Sequence, residues 1–188
     1  TPRPAERELA IQSMNSSFGG SFTSRVNMNL REDKAWSYGV RSSIIDTMRQ
    51  RPFITYAPVQ TDKTAASMLE LDREFREIQT NRPISAGEVN TTKSRNTLAL
   101  PGRWETARAV MGDIAEIVRF GLPEDYWRRY PALVDAVDVG QVNAAARDLI
   151  APNQLTWVVV CDLALKEADI RALNLGTIEL NDRDGKHP

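Results

Sequence analysis

The stretch that decides the fold is residues 19–34, which read GGSFTSRVNMNLREDK. Its two opening glycines predict the end of a preceding helix, because glycine takes the left-handed cap conformation without steric cost. After them, apolar residues recur at every fourth position, at Phe22, Val26 and Leu30. This spacing predicts a second helix, over about residues 21–33, with one apolar stripe that faces a core.

Two polar side chains flank the turn that ends this second helix. Arg31 lies in its last turn, where a cation suits the helix dipole, and Tyr38 follows in a predicted strand. A guanidinium is a planar fork of donors that stays charged, and a tyrosine hydroxyl is one directional donor. Peptide hydrolysis uses such donors to stabilise the oxyanion of the tetrahedral intermediate. Taken alone, however, an arginine at a helix end and a strand tyrosine are commonplace, and a structural role is favoured.

The remaining sequence predicts a strand hairpin followed by grouped helices. Strands over residues 36–45 and 52–60 are joined by a short polar connection, so they should pair antiparallel. Further strands are predicted over residues 154–161, which contain three consecutive valines, and over residues 177–180. This order favours an α+β fold, in which helices pack on one face of an antiparallel sheet.

Helices are indicated by capping residues and by apolar residues at helical spacing. Two capping boxes are predicted, Ser85 with Glu88 and Asp138 with Gln141. The helices that follow the hairpin are predicted over residues 62–81, 85–100, 104–120, 138–149 and 167–173, with another that starts at Pro123. In the amphipathic helix over residues 104–120, the residues that follow the helical period are Ala107, Val110, Met111, Ile114, Ile117 and Val118.

The composition is that of an ordinary soluble globular domain. The 188 residues include 41% hydrophobic and 26% charged side chains, with a net charge of -1. This balance argues against a nucleic-acid partner, for which a basic face is expected. No apolar run approaches the ~18 residues that indicate a membrane span. One domain is predicted over residues 1–180, with a polar tail over residues 181–188.

Self-contained catalytic chemistry is not indicated by any motif. The sequence has no Walker loop, no Rossmann glycine pattern and no nucleophile elbow. Its one histidine, His187, stands in the polar tail, and its one cysteine, Cys161, is interpreted as a small buried hydrophobe. A metal site needs several converging ligands. We therefore predict neither a metal nor another cofactor in this chain.

The stretch over residues 19–39 closely resembles the signature of the C-terminal, non-metal half of the pitrilysin/insulinase-type zinc metallopeptidases, the inverzincin group that includes the mitochondrial processing peptidases. Further segments resemble the family in order and at family spacing: Val59–Thr64, Pro83–Ser85 with Glu88 and Lys93, Phe120–Pro123 with Asp125 and Tyr126, and Pro152 through Val158–Asp162. The resemblance covers nearly the whole chain. In two places the family commonly has glycine, where this chain has Ala35 and Cys161. Alanine takes a positive φ less freely than glycine.

The resemblance implies a role for the two polar side chains. Arg31 and Tyr38 would be auxiliary catalytic residues that hold the peptide backbone and polarise the scissile carbonyl. The zinc, its H-x-x-E-H motif and the general-base glutamate would belong to a zinc-bearing N-terminal half or a separate subunit. This chain lacks the motif, so it should be inactive alone. Its substrates would be peptides or unfolded segments enclosed between two homologous halves. Bacterial relatives are often periplasmic, which favours that compartment over the cytoplasm.

Other functions stay open at this point. A catalytically inactive structural or assembly subunit of the same fold is one, and a generic α+β interaction domain is another. The resemblance also implies that the opening strands of the domain are absent here. A strand of the sheet would then lack its partner, so we expect the chain to self-associate, for example as a symmetric homodimer.

Overall fold

The structure, a computed structural model, describes residues 5–45, 47, 51–182 and 185. Most of the connection between the two hairpin strands lies outside these residues, as do His187 and part of the polar tail. That residues 1–180 form one domain stays a prediction.

Helices make up most of the described chain, and two of them continue as π-helical turns. Helix α1 spans Ala5–Asn15 and continues over Ser16–Gly20, while α2 spans Arg25–Asn27 and continues over Met28–Asp33. The later helices are α3 (Thr64–Glu77), α4 (Ala86–Leu98), α5 (Leu100–Arg103), α6 (Ala107–Phe120), α7 (Tyr126–Ala136), α8 (Val139–Leu149) and α9 (Leu163–Ala172). Short 3-10 turns cover Thr61–Lys63 and Pro152–Gln154.

The predicted capping boxes are confirmed. The Ser85 hydroxyl accepts from the Glu88 backbone N–H at the start of α4, and the Asp138 carboxylate accepts from that of Gln141 at the start of α8. Gly121, with φ 61°, ends α6 in the left-handed conformation. These helix ends were predictable because each depends on residues within one turn of the sequence.

The strand hairpin is confirmed, with shorter strands than predicted. Strands β1 (Arg41–Ile44) and β2 (Phe53–Tyr56) pair antiparallel, with Arg41 opposite Tyr56. One isolated bridge, between Ser37 and Val59, extends the pairing. Alternate residues of β2 point to opposite faces, so Phe53 packs on the helices while Ile54 and Tyr56 are exposed. The α+β class is therefore confirmed, with a sheet of two strands in the described chain.

The two later strand predictions are wrong. Residues 155–160 and 177–180 belong to no strand, because no other described segment pairs with them. The sequence over residues 154–161 has the composition of a strand, but a strand forms only where a neighbour supplies the ladder of hydrogen bonds.

The core lies between the helices and the inner face of the hairpin. The ring of Phe75 on α3 stacks on Phe18 with centroids 4.9 Å apart. It also meets the edges of Phe53 and Trp157, at 6.4 and 6.5 Å. Fully or almost fully buried around this cluster are Leu9, Met14, Val26, Leu30, Val40, Ile78, Ile84 and Val142.

Two predictions about the stretch at residues 19–34 need correction. Gly19 and Gly20 do not end a helix in the left-handed conformation, since they continue α1 as a π-helical turn. Gly19 is required for packing instead, because a Cβ there would lie 2.4 Å from the Ser42 Oγ. Phe22 is not on the buried stripe with Val26 and Leu30, since it precedes α2 and is 61% exposed.

The amphipathic helix exposes much of its apolar stripe. Helix α6 exposes Met111, Ile114 and Val118 and buries Asp113. The physical reason is an ion-pair network around Asp113, which the apolar spacing does not reveal.

Candidate functional site

Arg31 lies in the π-helical turn that continues α2, with its side chain 35% exposed. Its guanidinium carbon sits 4.5 Å from the centroid of the Phe22 ring, a cation–π contact. Its Nε lies 3.4 Å from the Glu32 Oε1. Within the described chain, no group accepts a hydrogen bond of normal geometry from this side chain. The guanidinium is therefore positioned by stacking, and its donors are available to a ligand.

Tyr38 is fully exposed, at 100% of its reference surface. In contrast, the backbone on both sides of it is held. The Ser37 hydroxyl donates to the Pro58 carbonyl at 2.6 Å and accepts from the Gly39 N–H at 3.1 Å. The Val40 N–H donates to the Asn27 Oδ1 at 3.0 Å. A free phenol thus projects from an ordered loop.

Asn27 connects the two halves of this region. Its Oδ1 holds the strand that follows Tyr38, and its Nδ2 donates to the Phe22 carbonyl at 2.7 Å. Phe22 in turn stacks with Arg31. The carboxamide therefore links the Tyr38 loop to the residue that positions the guanidinium. Sequence reasoning missed Asn27, although a polar residue between the buried positions Val26 and Leu30 was a usable signal.

The turn between Arg31 and Tyr38 contains a strained residue. Ala35 has φ 54°, in the left-handed region that costs a non-glycine residue ~1–2 kcal/mol. Its N–H donates to the Arg31 carbonyl at 3.1 Å, and its carbonyl accepts from the Gln60 Nε2 at 3.1 Å. The position at which the resembling family has glycine is thus one where glycine fits better.

Two carboxylates anchor the π-helical turn to α3. The Asn29 Nδ2 donates at 2.9 Å both to Glu70 and to Glu74, which is 2% exposed. Burial alone would raise the pKa of Glu70, but the Asn29 hydrogen bond and the charges of Arg73 and Lys34 hold it below its usual value. Glu70 is therefore ionised at neutral pH and ties the turn to the core helix.

A second anchor joins α2 to α4. The Arg25 guanidinium forms a bidentate pair with Glu88, at 2.7 and 2.8 Å, and also donates to the carbonyls of Arg82 and Pro83. Burial would raise the pKa of Glu88, but the hydrogen bonds from Arg25 and Ser85 hold it lower. Because Glu88 also completes the capping box of α4, one carboxylate fixes both helix starts.

Arg31 and Tyr38 lie on the surface without touching each other, since no hydrogen bond or ring contact joins them in the described chain. They could present a charged guanidinium and a single hydroxyl donor to a polar ligand.

The described residues do not fit a zinc ion, because no three of their histidine, cysteine or acidic side chains converge. Cys161 is half-buried rather than buried. None of the described helices combines the length and the apolar character needed to cross a membrane.

Comparison with known proteins gives one family match and several matches to solved structures. The family model described as the peptidase M16 inactive domain matches residues 1–96. A peptidase M16 inactive domain from Pseudomonas fluorescens aligns with a TM-score of 0.69 and 19% identity, over 77% of this chain and 34% of its own. For a protease from Helicobacter pylori, the TM-score is 0.68 and the identity 14%, over 78% of this chain and 35% of that one. The periplasmic protease PqqL from Escherichia coli aligns with a TM-score of 0.64 and 15% identity, over 78% of this chain and 16% of its own.

These likenesses differ in what they establish. The structural matches have low identity and show the fold, and the chain spans about a third of the length of the first two. A search of curated protein sequences gave no match. The family model, in contrast, covers half of the chain, including Arg31, Tyr38 and the anchors around them. The chain belongs to the peptidase M16 inactive-domain family.

Proposed function

We propose that this chain is the substrate-binding, non-zinc half of a zinc metalloendopeptidase, in which Arg31 and Tyr38 bind the peptide backbone and stabilise the oxyanion. The observation that carries the proposal is the fully exposed Tyr38 on a loop held at Ser37, Gly39 and Val40. A tyrosine ring contributes little to folding when it makes no contact. Its presence on an ordered loop is therefore better explained by a ligand.

The electrostatics of the pair suit a peptide in its transition state. An oxyanion is stabilised by donors that are already oriented before charge develops. Stacking on Phe22 restricts the Arg31 guanidinium, and the anchored loop restricts the Tyr38 backbone. Both groups can thus meet a developing negative charge with little reorganisation.

The zinc and the residues that activate its water would come from a second half, in the same polypeptide or in a partner subunit. The described residues offer no ligand set of their own. We therefore expect the chain alone to bind no stoichiometric zinc and to cleave no peptide. Metal analysis with about one tightly held zinc per chain, together with cleavage of a test peptide, would contradict this assignment.

The proposal is tested on the protein assembled with its zinc-bearing half. Tyr38→Phe and Arg31→Ala should each lower the turnover of an unfolded peptide by ~10²–10³-fold, the usual effect of removing one oxyanion donor. Tyr56→Phe and Arg41→Ala are matched controls, because both side chains are exposed on the hairpin. Zinc content and the urea unfolding midpoint should stay unchanged in all four variants.

Two outcomes would overturn the assignment. If Tyr38→Phe or Arg31→Ala also removed zinc or melted the domain, the residue would be structural. If both variants behaved like their hairpin controls, the chain would be a scaffold for assembly, the alternative that the same fold allows.

A further inference from the structure

Tyr38 lies at a bulge in the hairpin. Between the isolated bridge at Ser37 and the start of β1 at Arg41, three residues stand opposite only two, Ala57 and Pro58. One extra residue of this kind bends a strand and redirects a side chain, and such bulges are common next to active sites.

The bulge breaks the side-chain alternation of the strand. In a regular strand, residues two apart point to the same face. Here Tyr38 is fully exposed, whereas Val40 is 1% exposed and packs in the core. The Val40 N–H donates to the Asn27 Oδ1 rather than to β2, and on the opposite strand Pro58 has no N–H to donate. The geometry of the bulge thus depends on a side chain of α2.

The other end of the same carboxamide reaches the residue that carries Arg31. Asn27 is 4% exposed, and its Nδ2 donates to the Phe22 carbonyl at 2.7 Å. The Phe22 ring in turn stacks with the Arg31 guanidinium. Because this ring is 61% exposed, core packing restricts it little. The hydrogen bond on the Phe22 backbone therefore sets where the ring stands.

The direct chain between Arg31 and Tyr38 is a poor spacer by itself. It passes through Ala35, which has φ 54°. A strained residue of this kind persists only where the surrounding contacts determine it. Asn27 supplies such contacts, because it bonds to segments on both sides of the turn.

We infer that Asn27 is a positioning residue, whose buried carboxamide holds the Tyr38 bulge and the Phe22–Arg31 stack in one fixed arrangement. The guanidinium and the phenol can then act on the same peptide. This inference rests on the proposed function of Arg31 and Tyr38, and it names what sets their spacing. Asn27 acts through these two donors, without touching the substrate.

Asn27→Ala tests the inference in the protein assembled with its zinc-bearing half. Loss of the carboxamide releases both donors, and misplacing a catalytic group by about 1 Å can cost ~10²-fold in rate. We expect kcat for an unfolded peptide to fall by ~10–10²-fold, with a smaller change in KM, because the donors serve the transition state more than the bound substrate. An unchanged kcat in a folded, zinc-loaded Asn27→Ala variant would overturn the inference.

Asn143→Ala is the matched control. This carboxamide also engages a backbone N–H and a backbone carbonyl, since it accepts from the Ile84 N–H at 2.8 Å and donates to the Ile84 carbonyl at 2.9 Å. It joins α8 to the segment before α4. Asn143→Ala should lower the urea unfolding midpoint as Asn27→Ala does, without lowering kcat. An equal loss of kcat in both variants would reflect general destabilisation and would overturn the inference.

Combined variants show whether Asn27 acts through the two donors. Residues that act as one unit have non-additive effects. In a protein that carries both Arg31→Ala and Tyr38→Phe, adding Asn27→Ala should lower the residual kcat by less than about 2-fold, the usual scatter of additive effects. A further loss as large as in the wild type would overturn the inference.

The single donor variants separate this inference from the proposed function. If Arg31→Ala and Tyr38→Phe had no effect on turnover, the proposed function would fail, and the inference with it. If both lowered turnover and Asn27→Ala did not, the inference alone would fail.

Two further variants isolate the Arg31 side. Asn27→Asp keeps the acceptor for the Val40 N–H and loses the donor to the Phe22 carbonyl. Phe22→Leu removes the stacking ring at an exposed position, so it should fold whether or not Asn27→Ala does. Both should lower kcat, and the loss should disappear with Arg31→Ala and persist with Tyr38→Phe. The opposite pattern, or full activity of Phe22→Leu, would overturn the inference.

Discussion

Helices α3 and α6 have the same length, 14 residues, but opposite orientations toward the core. Helix α3 buries its apolar stripe, with Met68, Leu71 and Phe75 all inside. In α6, apolar and polar residues are separated more clearly, yet its apolar stripe is exposed. Spacing along a helix thus predicts that a stripe exists, but it does not decide which side of the helix meets the rest of the molecule.

A polar network explains the orientation of α6. The Asp113 carboxylate accepts two hydrogen bonds from Arg103, at 2.8 and 2.6 Å, and one from the Trp104 Nε1 at 2.7 Å. The Arg103 guanidinium in turn lies 4.0 Å from the centroid of the Trp127 ring on α7. Turning the apolar stripe inward would break these charge-assisted bonds, which are stronger than neutral ones.

The two helices should differ most in how much stability is lost when an apolar side chain of the stripe is truncated to alanine. Phe75→Ala should lower the free energy of unfolding by ~3–5 kcal/mol, because it removes a buried ring and leaves a cavity. Met111→Ala, at a position 71% exposed, should change it by no more than ~0.5 kcal/mol. Urea unfolding measures both. A comparable loss for Met111→Ala would show that the α6 stripe is covered in solution.

The two helices should also differ in how much stability is lost when a buried polar side chain is replaced by alanine. Asp113→Ala should cost ~2 kcal/mol, because Arg103 and Trp104 lose their acceptor. This is less than for a fully buried ion pair, since water reaches the 40%-exposed Arg103 side chain. Ser67→Ala on α3 is the control, because its buried Oγ has no partner in the described chain and its loss should cost nothing. Equal effects would mean that the Asp113 network does not orient α6.

The contribution of Asp113 should also depend on pH. Hydrogen bonds from Arg103 and then Trp104 outweigh burial and hold its pKa below the usual value. A lowered folded-state pKa contributes stability above the unfolded-state pKa, and this stability is lost as pH falls through the folded-state pKa. The difference in unfolding free energy between the wild type and Asp113→Asn should therefore shrink below about pH 4. Urea unfolding at pH 6 and pH 3 measures it, and a constant difference would contradict the pairing.

The smallest expected effect tests whether the α6 surface is open around Gly112. A Cβ at this position would meet nothing within 4 Å. Gly112→Ala should therefore stabilise the helix by ~0.5–1 kcal/mol, through the lower entropy of the unfolded chain. Gly121→Ala, at the cap that ends the same helix, is the control and should destabilise, because Gly121 has φ 61°. A destabilising Gly112→Ala, seen in thermal unfolding, would indicate a neighbour packed on α6.

The sequence by itself determined the features that depend on near neighbours. The capping boxes at Ser85 and Asp138, the αL cap at Gly121 and the antiparallel hairpin all follow from short segments, because caps and turns are set by a few consecutive residues. The resemblance to the metallopeptidase family also depends on local motifs. Arg31 and Tyr38 were identified in this way, and their function remains a prediction.

Only the tertiary structure decided the features that depend on distant partners. The Asp113 network turns the apolar face of α6 outward. Residues 155–160 stay unpaired because no described segment reaches them, although their composition is that of a strand. Asn27 became part of the candidate site only when Val40, thirteen residues away, was brought to its side chain. In each case the deciding contact joins residues that no local pattern relates, and the fold alone brings them within bonding distance.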